Sequence, residues 1–279
     1  MPLVLTVAGF DPSAGAGVLA DIKAIAANQA YGVACISAQT VQNSQGVRSF
    51  QPVDANLLDL QLEALLDDLP VRAVKIGMLG GKHVVEVVAR RLEGSGIPAI
   101  VLDPIRVSSS GASLSDTGAW RHLRERLLPL ATLVTPNLAE AAELAGIPVS
   151  KPADMQEAAL RIHALGPRAV LVKGGHLEDR PVDLLYDGAT FTSLPGDRVR
   201  TRNCHGTGCT LSAALAANLA QGKQLLDAAV VAKAYVSAAL RQAYAIGPGP
   251  GPLNHLFRLQ DAPASRNVDP APQHEFTTR

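Results

Sequence analysis

The residues best suited to chemistry lie in one short segment, residues 203–210, which reads Asn-Cys-His-Gly-Thr-Gly-Cys-Thr and directly precedes an Ala/Leu-rich stretch. The glycines at Gly206 and Gly208 allow backbone N–H groups to approach a ligand closely. At the start of a helix, those N–H groups and the helix dipole form a site for anions. A phosphoryl group in transfer is the natural anion, since its oxygens need such donors. A glycine turn with an ordinary buried cysteine is the alternative, and it is the better interpretation of the segment taken alone.

Cys209 falls in the first turn of this predicted helix. A helix N-terminus favours the thiolate, so the sequence predicts a pKa below the ordinary value of about 8.5. The thiolate could then accept the proton of an attacking hydroxyl group. Zinc ligation by Cys204, His205 and Cys209 is a weaker interpretation, because their spacing matches no usual ligand pair.

A second glycine-rich segment lies near the N-terminus, at residues 8–17, and the helix predicted after it carries Asp21. The spacing Gly15-x-Gly17-x-x-Ala20 loosely fits a dinucleotide-binding fingerprint. The loop is too long for that fingerprint, however, and no acidic residue follows Gly15 at about 20 positions. The P-loop pattern G-x-x-x-x-G-K-S/T is absent from the sequence. Asp21 is interpreted either as a surface acid on a helix or as a hydrogen-bond acceptor for a polar substrate.

Four further polar residues lie shortly after predicted strands, and each has an ordinary structural explanation. Asn137 and Glu140 have the spacing of a capping box at the start of a helix. Lys173 stands beside glycines, where it could pair with a phosphate or be solvated. Asp103, before a proline, could lie near Mg²⁺ or simply form a turn.

Short apolar runs alternate with helical patterns through much of the chain. This alternation predicts an α/β fold with a mainly parallel central sheet and helices on both faces. Parallel strands are predicted at 3–8, 32–37, 73–76, 99–102, 132–134 and 169–172, and a hairpin at 183–186 and 190–193. Helices are predicted at 18–30, 56–69, 84–92, 117–128, 137–145, 155–165, 208–220 and 225–244. Because ligands of such sheets bind at the carboxyl ends of the strands, the polar residues should converge on one rim.

Composition limits the classes of function. The chain has 279 residues, 47% of them hydrophobic and 18% charged, with equal numbers of basic and acidic residues. A neutral chain has no overall attraction to nucleic acid or to an anionic membrane. No apolar run approaches the roughly 20 residues that span a bilayer, and the N-terminus lacks the pattern of a signal peptide. We therefore expect a cytoplasmic protein with a small-molecule substrate, forming one domain over residues 1–261, with a disordered tail at 262–279.

Taken together, seven segments resemble the hydroxymethylpyrimidine/phosphomethylpyrimidine kinases of the ribokinase-like superfamily. They read AGFDPSAGAGVLADIK, QTVQNSQGV, KIGML, DPI with SSSG, TPNLAEA, VLVKGGH and NCHGTGCTLSAALAA, in the order found in that family, between about Leu3 and Tyr244. The block HGTGCT is the most specific of them, because sugar kinases of the superfamily typically carry Asp at the position of Cys209.

The resemblance implies an enzyme of thiamine biosynthesis that uses ATP and Mg²⁺. It would phosphorylate the hydroxymethyl group of 4-amino-5-hydroxymethyl-2-methylpyrimidine, and then the monophosphate to the diphosphate. The family is commonly dimeric, which implies a homodimer. The matching positions are Gly9, Asp21, Gln42 and Met78 for the pyrimidine, Gly206, Thr207, Gly208 and Cys209 for the anion hole and the reacting oxygen, Lys173 for phosphate, and Asp103 and Glu140 near the metal and the nucleotide phosphates.

Three positions depart from the family pattern: Phe10, Ala14 and Arg106 stand where many members have Ser, Gly and an apolar residue. Arg106 is expected near the substrate, so an arginine there could favour a phosphorylated or a different substrate. Pyridoxal kinases of the same superfamily are the main alternative, since their substrate also carries a hydroxymethyl group on a heteroaromatic ring. A Rossmann oxidoreductase and a non-catalytic ligand-binding protein are less well supported alternatives.

Overall fold

A computed structural model of the chain describes residues 1–107, 111–114, 117–175 and 181–260. The strands in these residues are β1 Leu3–Phe10, β2 Tyr31–Asn43, β3 Gly46–Pro52, β4 Val71–Ile76, β5 Ala99–Leu102, β6 Leu133–Val134, β7 Val170–Val172, β8 Val182–Tyr186 and β9 Phe191–Pro195. They form one sheet in the order β3-β2-β1-β4-β5-β6-β7-β8-β9. The strands from β2 through β1 and β4 to β7 are parallel, whereas β3, β8 and β9 join by antiparallel pairing.

Helices cover both faces of the sheet, which confirms the predicted fold class. The helices are α1 Gly17–Ala27, α2 Ala55–Asp68, α3 Lys82–Leu92, α4 Thr117–His122, α5 Leu138–Ala145, α6 Pro152–His163, α7 Thr207–Ala220, α8 Leu225–Arg241 and α9 Phe257–Gln260. Side chains that alternate along the parallel strands contribute to two apolar clusters, one packed under α2, α3, α5 and α6 and the other under α1, α7 and α8.

The main departures from the sequence prediction lie at the edge of the sheet and after α4. Strand β2 extends six residues beyond the predicted end at residue 37, from Ala38 to Asn43. Strand β3 has no counterpart in the sequence prediction. The predicted helix 117–128 is interrupted, because a π-helical turn at Leu123–Leu127 and a 3-10 turn at Leu128–Leu130 replace its second half. The proline of that 3-10 turn cannot continue an α-helix.

The hairpin of β8 and β9 forms as predicted. The tail predicted at 262–279 lies outside the described residues. Over the part of the chain that the structure describes, no helix has the length and apolar character needed to cross a bilayer.

The sheet has a topological switch point at β1, because successive strands are added on opposite sides of it. Strand β2 lies on one side of β1 and β4 on the other, and both pair with it in parallel. Such a switch point opens a crevice beyond the carboxyl ends of the strands, and ligands of open α/β sheets bind there. The first helical turn of α7 and the residues that follow β1, β4, β5 and β7 meet at this end of the sheet.

Candidate active site

The N-terminus of α7 has the features of an anion site. Gly206 precedes the helix with φ +80°, and a β-carbon there would lie 1.9 Å from the carbonyl oxygen of Gly15. Only glycine fits this turn. No described side chain caps the helix, so the first-turn N–H groups of Gly208 and Cys209 remain available. The hydroxyl of Thr207 donates instead to the carbonyl of Cys204, at 2.7 Å.

Lys173 and Asp103 meet beside this helix terminus. They follow β7 and β5, and Nζ of Lys173 lies 2.8 Å from Oδ1 of Asp103. A β-carbon on Gly208 would lie 3.3 Å from the same Nζ, so the ammonium group is adjacent to the glycine turn. Thr135 and Ser212 donate to the Asp103 carboxylate at 3.2 and 3.3 Å. Burial opposes both charges, but their mutual attraction lowers the pKa of Asp103 and raises that of Lys173.

Glu140 forms the predicted capping box with Asn137 at the start of α5. The ordinary structural explanation is therefore confirmed, but the carboxyl group is also buried near Lys173. Burial raises the pKa of Glu140 to about 7, with a further contribution from Asp103, although the charge of Lys173 opposes the shift.

The fit to Mg²⁺ depends on two carboxylates rather than a cage. Among the described residues, no group of three or more His, Cys, Asp or Glu side chains could hold a metal ion by itself. Mg²⁺ in phosphoryl-transfer sites commonly binds one or two carboxylates, several waters and the phosphates of the nucleotide. Asp103 and Glu140, both within electrostatic reach of Lys173, are compatible with that arrangement.

Cys209 lies in the first turn of α7 as predicted, but the predicted lowering of its pKa is wrong. The residue is 8% exposed, and burial raises the pKa of the thiol to about 11. The charge of Lys75 and a backbone hydrogen bond from Gly17 favour the thiolate, whereas the charges of Asp21 and Asp103 oppose it. Desolvation therefore outweighs the helix terminus.

Three of the predicted substrate residues lie around the switch point. A β-carbon on Gly9 would lie 3.0 Å from Sδ of Met78, so the end of β1 faces the segment after β4. Met78 belongs to a small apolar cluster, separate from the two main cores, that also contains Ala38 and Leu114 with Val47, Phe50 and Ile105 packed against it. Gln42 lies on the exposed part of β2, and its Nε2 is 3.0 Å from Nε2 of His205.

Asp21, the fourth predicted substrate residue, is completely buried, so its interpretation as a surface acid is wrong. Its Oδ2 accepts hydrogen bonds from Thr6 and Lys75 at 2.6 and 2.8 Å. These two donors are direct partners in the β1–β4 register and point to the same face. Oδ1 has no hydrogen-bond partner among the described residues.

Comparison with known proteins identifies the family. A profile of the family described as phosphomethylpyrimidine kinase matches residues 11–254. The chain belongs to this family. It is 44% identical over 258 residues to hydroxymethylpyrimidine/phosphomethylpyrimidine kinase of Streptomyces coelicolor, which covers 92% of this chain and 96% of that protein. It is also 44% identical over 259 residues to the bifunctional thiamine biosynthesis protein ThiED of Geobacter sulfurreducens, covering 92% of this chain but only 53% of that protein.

A solved structure agrees with the assignment to the ribokinase-like kinases. The ADP complex of Bacillus subtilis pyridoxal kinase has a TM-score of 0.85 and 35% sequence identity, and the match covers 93% of this chain and 99% of that one. The chain is therefore a phosphotransferase of this family, as the sequence motifs predicted. The Rossmann oxidoreductase alternative is wrong.

The sequence patterns assign no role to Lys75 or Asp11, and for His205 they offer only the weaker interpretation as a zinc ligand. Lys75 could have been found, because a lysine in the buried strand VRAVKI needs a buried partner. His205 bonds Asp11 at 2.8 Å and thereby joins the two glycine-rich segments. Local sequence patterns could not have predicted the contact between His205 and Asp11, because the two residues are 194 positions apart.

Proposed function

We propose that this chain transfers the γ-phosphoryl group of ATP to the hydroxymethyl oxygen of 4-amino-5-hydroxymethyl-2-methylpyrimidine, and then to the phosphate of the product, within thiamine biosynthesis. The observation that carries the proposal is the juxtaposition of the Gly206 turn, Lys173 and Asp103 at the N-terminus of α7. The ADP complex of the related pyridoxal kinase supports an adenine nucleotide as the donor.

In this proposal the protein stabilises charge rather than forming covalent bonds. The transferred phosphoryl group carries negative charge on three oxygens, and preorganised N–H donors and an ammonium group stabilise that charge. The N–H groups of the first turn of α7 receive the phosphoryl oxygens, while Lys173 exchanges part of its contact with Asp103 for a phosphate oxygen. Mg²⁺ held near Asp103 and Glu140 would neutralise charge on the nucleotide phosphates.

Cys209 is proposed to take the proton of the attacking hydroxyl group. Its position in the first turn of α7 puts the thiol beside the N–H groups that bind the phosphoryl oxygens. Because burial keeps the thiol protonated at neutral pH, only a small thiolate fraction would serve as the base. Phosphoryl transfer tolerates this, since a loose transition state needs little removal of the proton before the bond forms.

The substrate ring is proposed to bind at the switch point. Met78 and its apolar cluster provide a surface for a flat ring, and the missing side chain at Gly9 allows Sδ of Met78 to lie close to the end of β1. Gln42 offers an amide to the polar edge of an aminopyrimidine. Asp21 offers Oδ1, which lacks a partner among the described residues, although the ring must approach a fully buried carboxylate to reach it.

A competition between acceptors tests the proposal. Phosphoryl transfer from ATP–Mg²⁺ is measured side by side with hydroxymethylpyrimidine, its monophosphate and pyridoxal. We expect turnover of both pyrimidines and little transfer to pyridoxal. The similarity to a pyridoxal kinase makes vitamin B6 salvage the second candidate, and a preference for pyridoxal would favour it. Transfer to none of the three would refute the proposed acceptor.

The oligomeric state and the cellular location of the chain are also proposals. We propose a homodimer in the cytoplasm, with residues 1–261 forming one domain. Light scattering on the purified chain measures the first property, and a mass near twice the 29.1 kDa of the chain is expected.

A further inference from the structure

The Gly/Pro segment, residues 245–252, reads Ala-Ile-Gly-Pro-Gly-Pro-Gly-Pro and follows α8. One part of it lies against Ser44, in the turn that joins β2 to β3. A β-carbon on Gly247 would lie 2.6 Å from Oγ of Ser44, and one on Gly249 would lie 1.9 Å from its carbonyl oxygen. The N–H of Gly249 donates to Oγ of Ser44 at 3.3 Å. The segment therefore touches the hairpin turn at a distance that only glycine permits.

The far end of the Gly/Pro segment is bound to the loop before α7. The carbonyl of Gly251 accepts the N–H of His205 at 3.1 Å, and its own N–H donates to Oδ1 of Asn203 at 2.9 Å. Pro252 forms a parallel bridge with His205. Prolines between the glycines fix φ at alternate positions, so the segment behaves as a stiff connection between two loops.

The hairpin and the loop before α7 also meet directly. Nε2 of Gln42, two residues before Ser44, lies 3.0 Å from Nε2 of His205. The hairpin turn, the Gly/Pro segment and the His205 loop thus form a closed circuit of contacts at the rim. In such a circuit, a displacement at Ser44 changes the position of Gln42 relative to the first turn of α7.

We propose that the Gly/Pro segment is a positioning element that sets the height of the β2–β3 hairpin above the substrate site, and that Gly247 and Ser44 determine this height by direct contact. The inference rests on the proposed function for the role of Gln42 in binding the pyrimidine. Gly247, Gly249 and Ser44 would then affect substrate affinity indirectly, through the position of Gln42, without touching the substrate.

The geometry supplies a compensation test. Gly247→Ala would put its new methyl group 2.6 Å from Oγ of Ser44, which is too short for two such atoms. Either the hydroxyl group rotates away and gives up its hydrogen bond with Gly249, or the hairpin turn moves, and we expect the hairpin to move. Removing that oxygen by Ser44→Ala leaves the Ser44 β-carbon at 3.3 Å, a distance that a small adjustment accommodates. Ser44→Ala also removes the hydrogen bond from Gly249, so this single variant is measured as the reference. The double variant should behave like Ser44→Ala, close to the wild-type chain, and not like Gly247→Ala.

Two measurements are made on the full chain. The first is the KM for hydroxymethylpyrimidine, which we expect to rise about tenfold in Gly247→Ala. In the double variant this KM should return to within about twofold of the wild-type value. The kcat and the KM for ATP should change little in either variant. The second is hydrogen exchange of the amides at 43–47 without substrate, expected to accelerate in Gly247→Ala and to slow again in the double variant. Gly32→Ala is the matched control, since its β-carbon would lie 2.7 Å from the side chain of Ile22, far from the hairpin turn.

The two measurements separate this inference from the proposed function. Unchanged exchange and KM in Gly247→Ala, or a defect that Ser44→Ala does not relieve, would overturn the inference even if the chain is the proposed kinase. Hydrogen exchange at 43–47 could be faster in Gly247→Ala and slow again in the double variant while the wild-type chain does not phosphorylate the pyrimidine. That result would support the contact circuit and refute the proposed substrate. If Gly247→Ala does not fold, the double variant must fold and bind normally, and its failure would also overturn the inference.

Discussion

Cys209 carries the most informative prediction, because its environment and its proposed role make opposite demands. A general base must be deprotonated, whereas burial raises the pKa of this thiol to about 11. At an assay pH of about 7.5, only roughly one thiol in 3,000 is ionised, which corresponds to about 5 kcal/mol for deprotonation. If the thiolate is the base, kcat must rise about tenfold for each pH unit until the thiol titrates.

Two substitutions separate the proton acceptor from the shape of the site. Cys209→Ala should lower kcat by about 10²–10⁴ and leave the KM for ATP nearly unchanged. Cys209→Ser keeps nearly the same volume and the same backbone N–H groups, but its hydroxyl is a much weaker acid than a thiol. We therefore expect the serine variant to be almost as slow as the alanine variant.

The assay is single-turnover phosphoryl transfer from ATP–Mg²⁺ between about pH 7 and 9.5, with the serine variant measured at every pH as the control for changes in substrate and nucleotide. We expect a rising profile in the wild-type chain and a flat one in the serine variant. A flat wild-type profile together with near-normal kcat for Cys209→Ser would refute the base role. Cys209 would then contribute only its N–H group and its packing.

Three further predictions concern the metal, the substrate and the stability of the first loop. Because Glu140 is protonated below its raised pKa of about 7, the Mg²⁺ concentration for half-maximal activity should increase by up to about tenfold per pH unit as the pH falls below that value. Arg106→Met should change the KM ratio of the two pyrimidines by less than about twofold, since its guanidinium group is paired with Glu143 and lies 5.7 Å from the ring centre of Trp120. Ala14→Gly should raise the free energy of unfolding by about 0.5–1 kcal/mol, because Ala14 has φ +59°.

Each of these predictions has a control in the same chain. The pH dependence of the Mg²⁺ requirement should disappear in Glu140→Gln, and its persistence there would assign the titration to another group. If Arg106→Met raises the KM for the phosphorylated pyrimidine selectively, the guanidinium group of the wild-type chain must leave Glu143 to bind that substrate. In urea unfolding, Ala26→Gly should destabilise the chain by about 1 kcal/mol, since Ala26 is exposed inside α1, where glycine is a poorer helix former than alanine.

The sequence was sufficient to predict the rim and most of the residues on it. Asp103 and Lys173 are 70 positions apart, yet each follows a short apolar run, and the carboxyl ends of parallel strands meet at one edge. The Gly206 turn was predictable for a similar reason, because glycine next to an Ala/Leu-rich helix is typical of an anion site. Local patterns thus located the residues that follow strands and precede helices.

The hairpin of β2 and β3 was not predictable from the same patterns. Its residues alternate poorly, since much of β3 is exposed and only Phe50 and Val47 pack against the small apolar cluster. The partners of Ser44 and Gln42 lie about 160–200 positions away in the sequence, as the hydrogen bonds to His205 and Gly249 show. Contacts of this kind depend on the tertiary fold rather than on propensity.

The pKa of Cys209 shows why a correct local interpretation can give the wrong chemistry. The first turn of a helix does favour a thiolate, but α7 is buried against the sheet, and the cost of desolvating a charge increases with burial. Lys75 partly offsets that cost, although its ammonium group is already bound to Asp21. Burial has the largest effect on the pKa of this thiol, and the charges of Lys75, Asp21 and Asp103 then modify it. Since ATP–Mg²⁺ binding brings both charge signs to this site, the reactivity of Cys209 should depend on the bound ligands and not on the helix alone.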